Sequence, residues 1–116
     1  GNVCCSEIEL RTIVVKERSM TSAFFLGQNI NLAVEFGPDN IRVNTISPGM
    51  INTPFSESLM KNEEFMKKRL AQTPLRKVGE GEEIAGVAVM LASKAGGFIT
   101  GQNIIVDGGT TISDGN

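Results

Sequence analysis

Apolar residues along this 116-residue chain switch between two spacings, and the switches predict its elements. Thr12-Ile13-Val14-Val15 is a β-branched run set among charged residues, which suits a pleated strand. From Thr21 the spacing turns helical, with Ala23, Leu26, Ile30 and Ala33 near one face and Gly37-Pro38-Asp39-Asn40 as the stop. Gly37 is expected in the left-handed position that closes the helix, and Pro38 cannot continue it. Ile41 to Ile46 predicts a second strand, broken by Ser47-Pro48-Gly49 and followed by an irregular loop from Met50 to Phe55. Two short helices should fill Ser56 to Ala71. Asn62 caps the second of them, Glu63 and Glu64 sit in its first turn, and Lys67, Lys68 and Arg69 near its end match the helix dipole. Glu63 with Lys67 and Glu64 with Lys68 have the spacing of supporting ion pairs. Ile84, Val87, Ala88 and Leu91 mark a further helix from Gly81 to Lys94, and Asn103 to Asp107 a last strand. That last strand is apolar on both faces, as in a parallel sheet covered on both sides. The order strand, helix, strand, helices, strand is that of βαβ units and predicts an α/β fold, with about three strands of an open, doubly wound parallel sheet.

Composition narrows the function classes. Eleven basic and 13 acidic side chains give a net charge of −2 with the positives scattered, so no footprint for nucleic acid or an acidic membrane surface is present. No apolar run approaches the roughly 20 residues of a membrane span, and the reading is a cytoplasmic protein. The sequence holds no His and no Tyr, so imidazole and phenol are missing as acid, base or metal ligand, and no metal site is expected. Cys4 and Cys5 are adjacent and have no other partner for a disulfide. As nucleophiles they would need an activating base that the composition does not supply.

Chemistry in an open parallel sheet gathers beyond the carboxyl ends of the strands, and the loop after Ile46 lies there. Pro48 and Gly49 fix and open its backbone, Ile51 offers main-chain N–H and C=O groups to a planar amide, and Thr53 offers a hydroxyl to a carboxamide or phosphate. An ordinary strand-to-helix turn would use the same Pro-Gly, so the local pattern leaves both readings open.

A wider set of motifs bears on that choice. Asn31-Leu32-Ala33-Val34-Glu35-Phe36-Gly37 and Asn40 to Gly49, then Ile51-x-Thr53, Thr73-Pro74-Leu75-Arg76-x-x-Gly79 and Glu82-Glu83-Ile84-Ala85 follow one another in a fixed order. Ile99-Thr100-Gly101-Gln102 and Val106-Asp107-Gly108-Gly109 complete the series. Together they resemble the C-terminal half of the short-chain dehydrogenase/reductase family, over about Gln28 to Thr111. The resemblance implies a Rossmann fold and an oxidoreductase that uses NAD or NADP on a small alcohol or carbonyl substrate, often as a homo-oligomer. It also implies that Pro48, Gly49, Ile51 and Thr53 line the nicotinamide and pyrophosphate end of the cofactor. The helices from Ser56 to Ala71 would form a substrate lid, with Phe55, Leu59, Met60, Phe65 and Met66 as an apolar wall.

The same resemblance shows what is missing. The family's chemistry rests on a Tyr and a Lys four residues later, and those positions fall here at Arg18 and Ser22. No catalytic residue is therefore assigned. A glycine-rich turn that would receive the pyrophosphate has no counterpart before Gly37. Gly79-Glu80-Gly81 lacks the third Gly and leads into a helix. Residues 1–20 do not resemble the family and residues 21–116 do, so the expectation is a divergent lead-in followed by the C-terminal part of a Rossmann-like domain. Such a chain is expected to be inactive alone. A non-catalytic interaction module that associates with full-length relatives is the alternative.

Overall fold

A central strand, β2 (Arg42–Pro48), organises the molecule. The computed structural model describes residues 12–16 and 23–113; the expected helix start at Thr21, and Cys4 and Cys5, lie outside them. The sheet is parallel and ordered β1-β2-β3, with β1 at Thr12–Lys16 and β3 at Asn103–Val106. In register, Ile13 pairs with Val43 on one side of β2, and Ile46 pairs with Ile104 on the other. All residues from Val43 to Ser47 are buried. Because side chains of a strand alternate between faces, both faces of β2 are covered. Helix α1 (Ala23–Phe36) packs on β2, and helix α4 (Gly81–Ala92), described with its neighbours below, packs on β1 and β2. Among the residues whose burial is described, Ala33, Val43, Ile46 and Leu91 are the buried apolar ones.

The burial of a polar strand needs an explanation, since Asn44, Thr45 and Ser47 are all almost fully buried. Each unpaired polar group there would cost on the order of 1–3 kcal/mol. The segment leading into β3 supplies the partners. Asn44 donates to the Ile99 carbonyl at 3.0 Å and accepts the Gln102 N–H at 3.1 Å. Arg42 donates to the Gly96 carbonyl at 2.6 Å, the Val43 N–H reaches the Thr100 hydroxyl at 3.1 Å, and Ser47 donates to Asn103 Oδ1 at 2.7 Å. Polar side chains on β2 thus stitch the chain from Gly96 to Asn103 onto the sheet.

Three expectations need correction. First, β2 does not break at Ser47-Pro48 but runs through Pro48. The N–H groups of Thr45 and Gly49 point to β3, so the position of Pro48 points to the β1 side, where pairing among the described residues ends at Ile46 with Lys16. A proline without a donor costs nothing in the ladder at that point. Second, among the described residues β3 is not covered on both faces. It is an edge strand, and Ile105 is exposed. Third, the left-handed residue after α1 is Asn40 (φ 58°), at the end of a short 3-10 turn over Gly37–Asp39, and not Gly37. Asn tolerates that conformation because its short polar side chain bonds locally.

After β2 the chain leaves the body as an arm made of α2 (Glu57–Met60) and α3 (Glu63–Ala71), neither of which contains a buried residue. Asn62 caps α3 as expected, accepting the Phe65 N–H at 3.1 Å. The expected Glu63–Lys67 and Glu64–Lys68 pairs do not close to ion-pair distance, in keeping with the side-chain entropy that exposed pairs must overcome. The arm returns through Thr73 to Gly79. There the Gly79 N–H donates to the Met50 carbonyl at 2.9 Å and the Asn52 N–H to the Gly79 carbonyl at 2.8 Å. This bridge of Ile51 with Gly79 clamps the neck of the arm. Helix α4 then ends at Ala92, two residues before the expected Lys94, and a 3-10 turn over Lys94–Gly96 follows.

Candidate functional site: the loop after the central strand

The loop from Pro48 to Ser56 starts where β2 and β3 end side by side. Gly49 donates its N–H to the Val106 carbonyl at 2.9 Å, so the loop leaves the sheet in contact with β3. A Cβ on Gly49 would lie 2.7 Å from Asp107 Cα and 2.8 Å from Asp107 Cβ. Glycine is required here by close approach, not by φ. Pro48 is the last strand residue, paired with Val106.

Ile51 sits at the clamped neck. In a parallel bridge the flanking residues bond the partner, so the N–H and C=O of Ile51 itself point away from Gly79. Its carbonyl accepts the Ser56 hydroxyl at 2.7 Å. Its N–H has no partner among the described residues. Its side chain faces Gly79, where an added Cβ would lie 2.7 Å from Ile51 Cδ1. Thr53 follows, with its N–H donating to Ser56 Oγ at 3.0 Å and its hydroxyl 3.3 Å from the same oxygen. Ser56 is the residue that sequence reasoning missed. A Thr-Pro-Phe-Ser turn, with hydroxyls at i and i+3, was the available signal.

Behind the loop lies a cavity of about 100 Å³, lined by Met50, Ile51, Thr73, Leu75, Gly79 and Val106 among others. Dinucleotide and drug-sized ligands occupy pockets of about 300–1,000 Å³, so this space is not the cofactor cleft. Of the residues expected at the cofactor, Ile51 lines it and Pro48, Gly49 and Thr53 do not. Those residues share the end of β2 and the loop that follows it. Arg18 and Ser22 lie outside the described residues.

Two carboxylates hold the surroundings in place. Burial pushes the Asp107 carboxyl up, but hydrogen bonds from the Thr111 hydroxyl and N–H and from the Gly109 N–H outweigh it and hold the group below its ordinary value. The Gly109 and Thr111 N–H groups approach the carboxylate at 2.8 Å each. This fixes the turn after β3, whose Gly108 carbonyl accepts the Leu75 N–H at 3.1 Å. Glu83, on the first turn of α4, is lowered by its hydrogen bond from Lys77 and by the Glu80 N–H. Lys77 Nζ lies 2.6 Å from Glu83 Oε1, a pair exposed to solvent on both sides.

A family model described as enoyl-(acyl carrier protein) reductase matches residues 26–111, nearly the span marked out by the motifs. The chain belongs to the short-chain dehydrogenase/reductase family. A tropinone reductase homolog of Arabidopsis thaliana is 46% identical over 83 residues, covering 72% of this chain and 27% of that protein. Gluconate 5-dehydrogenase of Gluconobacter oxydans is 32% identical over 112 residues, covering 97% of this chain and 44% of that protein. Among solved structures, a 4-hydroxyisoleucine dehydrogenase complexed with NADH superposes with a TM-score of 0.83 at 31% identity, covering 89% of this chain and 48% of that one. The α/β Rossmann-type architecture expected from the sequence is therefore that of the family. This short-chain dehydrogenase/reductase chain spans less than half the length of each of these proteins. No helix among its described residues is long and apolar enough to cross a membrane.

Proposed function

We propose that this chain carries the nicotinamide-facing part of an NAD(P) cradle, and that the 116 residues alone do not transfer hydride between cofactor and an alcohol or carbonyl. Pro48, Gly49, Ile51 and Thr53 are the residues that would hold the cofactor. One observation carries the reading: the neck bridge turns the Ile51 peptide outward, with an N–H that has no partner among the described residues and a carbonyl that keeps one lone pair beyond the Ser56 bond. A donor and an acceptor on one residue match the two ends of a carboxamide. The group itself would supply hydride acceptance or donation when bound. This chain's part is to bind and orient its amide end. The arm of α2 and α3, with Phe55, Leu59 and Phe65 exposed, would exclude water and set substrate choice.

Proton transfer to a carbonyl needs a group of matched pKa at the reacting oxygen. With no Tyr or His in 116 residues, and with Arg18 and Ser22 at the family's Tyr and Lys positions, that group is missing. The reading is of a cytoplasmic protein that takes no nucleic acid. The test is ¹⁵N NMR titration with NADH and reduced nicotinamide mononucleotide, alongside a turnover assay on alcohols and carbonyls. Saturable shifts at Ile51 and Thr53 without turnover are expected. Turnover by the purified chain would refute the inactivity, and shifts confined to other residues would refute the cradle.

A second reading, association with itself or with full-length relatives, is favoured by the exposed apolar side chains Val34, Val89, Phe98 and Ile105, the last on the β3 edge. Edge strands and apolar patches of this kind invite pairing. Sedimentation of the chain alone and mixed with a full-length relative tests it, and a monomer in both would refute it.

A further inference from the structure

We infer that Ser56 is a positioning residue for the carboxamide-binding peptide of this loop, acting through the Ile51 carbonyl without touching the ligand. The inference rests on the cradle reading above. Its basis is the number of loop groups gathered on one hydroxyl. Ser56 Oγ lies 2.7 Å from the Ile51 carbonyl, 3.1 Å from the Thr53 carbonyl, 3.0 Å from the Thr53 nitrogen and 3.7 Å from Met60 Sδ. A hydroxyl has a single proton to donate. The shortest contact, to Ile51, takes it, and the Thr53 N–H donates into the lone pairs of the same oxygen.

Two consequences follow for the Ile51 peptide. Its carbonyl is fixed in direction by a donor from within the loop, so no rotation is needed when an external N–H arrives at the second lone pair. The Thr53 N–H, which would otherwise compete for an incoming acceptor, is already engaged. The Ser56 N–H, 3.0 Å from the Thr53 carbonyl, closes the turn from the other side and keeps the hydroxyl in place. The loop has thus fixed one of the two functions of the Ile51 peptide and left the N–H without a partner among the described residues. Such a loop is preorganised for an amide and less so for a ligand lacking amide donors.

That asymmetry supplies a test that a merely structural role would not pass. Reduced nicotinamide mononucleotide and its 3-acetylpyridine counterpart share the ring carbonyl, but the second has a methyl where the first has an NH₂. Both are titrated by ¹⁵N NMR into the wild-type chain, Ser56→Ala and Ser56→Thr. Ser56→Ala should weaken the amide ligand by about fivefold, the size of one net hydrogen bond. It should leave the acetyl ligand within about twofold, and Ser56→Thr should restore the amide affinity. Amide exchange at Thr53 should quicken in Ser56→Ala and not in Ser56→Thr. Equal loss for both ligands, no loss for either, or unchanged exchange at Thr53 would overturn the role of Ser56 while the cradle stands. A wild-type chain whose Ile51 and Thr53 signals respond to neither ligand would overturn the cradle, and the role of Ser56 with it.

Discussion

Replacing Gly49 by alanine tests the geometry on which the site depends. The new Cβ would meet Asp107 Cα at 2.7 Å, Asp107 Cβ at 2.8 Å and the Asp107 carbonyl oxygen at 3.3 Å. Non-bonded carbons prefer about 3.5–4.0 Å, so the clearance falls short by roughly 1 Å against atoms that include main chain. No rotamer change relieves that. The ends of β2 and β3 must part, which sacrifices the Gly49 N–H bond to Val106, worth about 1 kcal/mol net. Overpacking adds about 1–3 kcal/mol, and the expected loss is about 2–4 kcal/mol. Gly86→Ala is the control, because its Cβ would meet nothing within 4 Å on the exposed side of α4. There alanine should stabilise by about 0.5–1 kcal/mol. The chain has no Trp or Tyr, so urea unfolding is followed by far-ultraviolet circular dichroism rather than by intrinsic fluorescence. A Gly49→Ala chain within about 0.5 kcal/mol of wild type, the ordinary scatter of neutral substitutions, would refute the close-approach argument.

Other consequences are accessible to the same methods. Asn44→Ala should cost about 1–3 kcal/mol, because the Gln102 N–H loses its side-chain acceptor and the Ile99 carbonyl is left with only the 3.4 Å donor from Arg42; a loss below about 0.5 kcal/mol in urea unfolding would contradict the stitching role of β2. Arg76 sits at φ 54° and donates to the carbonyls of Leu70, Ala71 and Thr73 at the end of α3. Arg76→Ala should therefore quicken amide exchange in the last turn of α3, and Arg76→Gly should do the same while recovering about 1 kcal/mol of left-handed strain in thermal unfolding. Asp107 is held below its ordinary value in the folded chain, so its contribution is fully present above the unfolded pKa and is lost as pH falls through the folded one. Below about pH 4 the thermal midpoint of the wild-type chain should fall more steeply than that of Asp107→Asn, and parallel curves would show that the carboxylate contributes nothing.

Local chemistry wrote much of the fold into the sequence. Asn62 before Glu63 and Glu64 marked the start of α3, and the β-branched residues of Thr12 to Val15 and of Ile41 to Ile46 marked two strands, because capping and branching act over a few residues. The motif series from Gln28 to Thr111 located the family over nearly the residues that its model matches. The absent Tyr was equally legible, since composition needs no coordinates.

What depended on distant partners was not legible. Nothing local marks Asn44 and Ser47 for burial, and they are buried because the chain some 55 residues later brings carbonyls and amides to meet them. Pro48 remains in β2 two residues past the last described pair with β1, a matter of register between strands. Ile105 looked like core and is exposed, because the described helices pack on β1 and β2, and coverage of a strand's face is set by where helices lie rather than by a residue's own hydrophobicity. At the site, sequence alone named Gly49 and Ile51 as loop residues. The tertiary structure decided that Gly49 is pressed against Asp107, that Gly79 turns the Ile51 peptide outward and that Ser56 holds its carbonyl. Hydrogen-bond direction and van der Waals contact exist between segments, and a sequence records each segment separately.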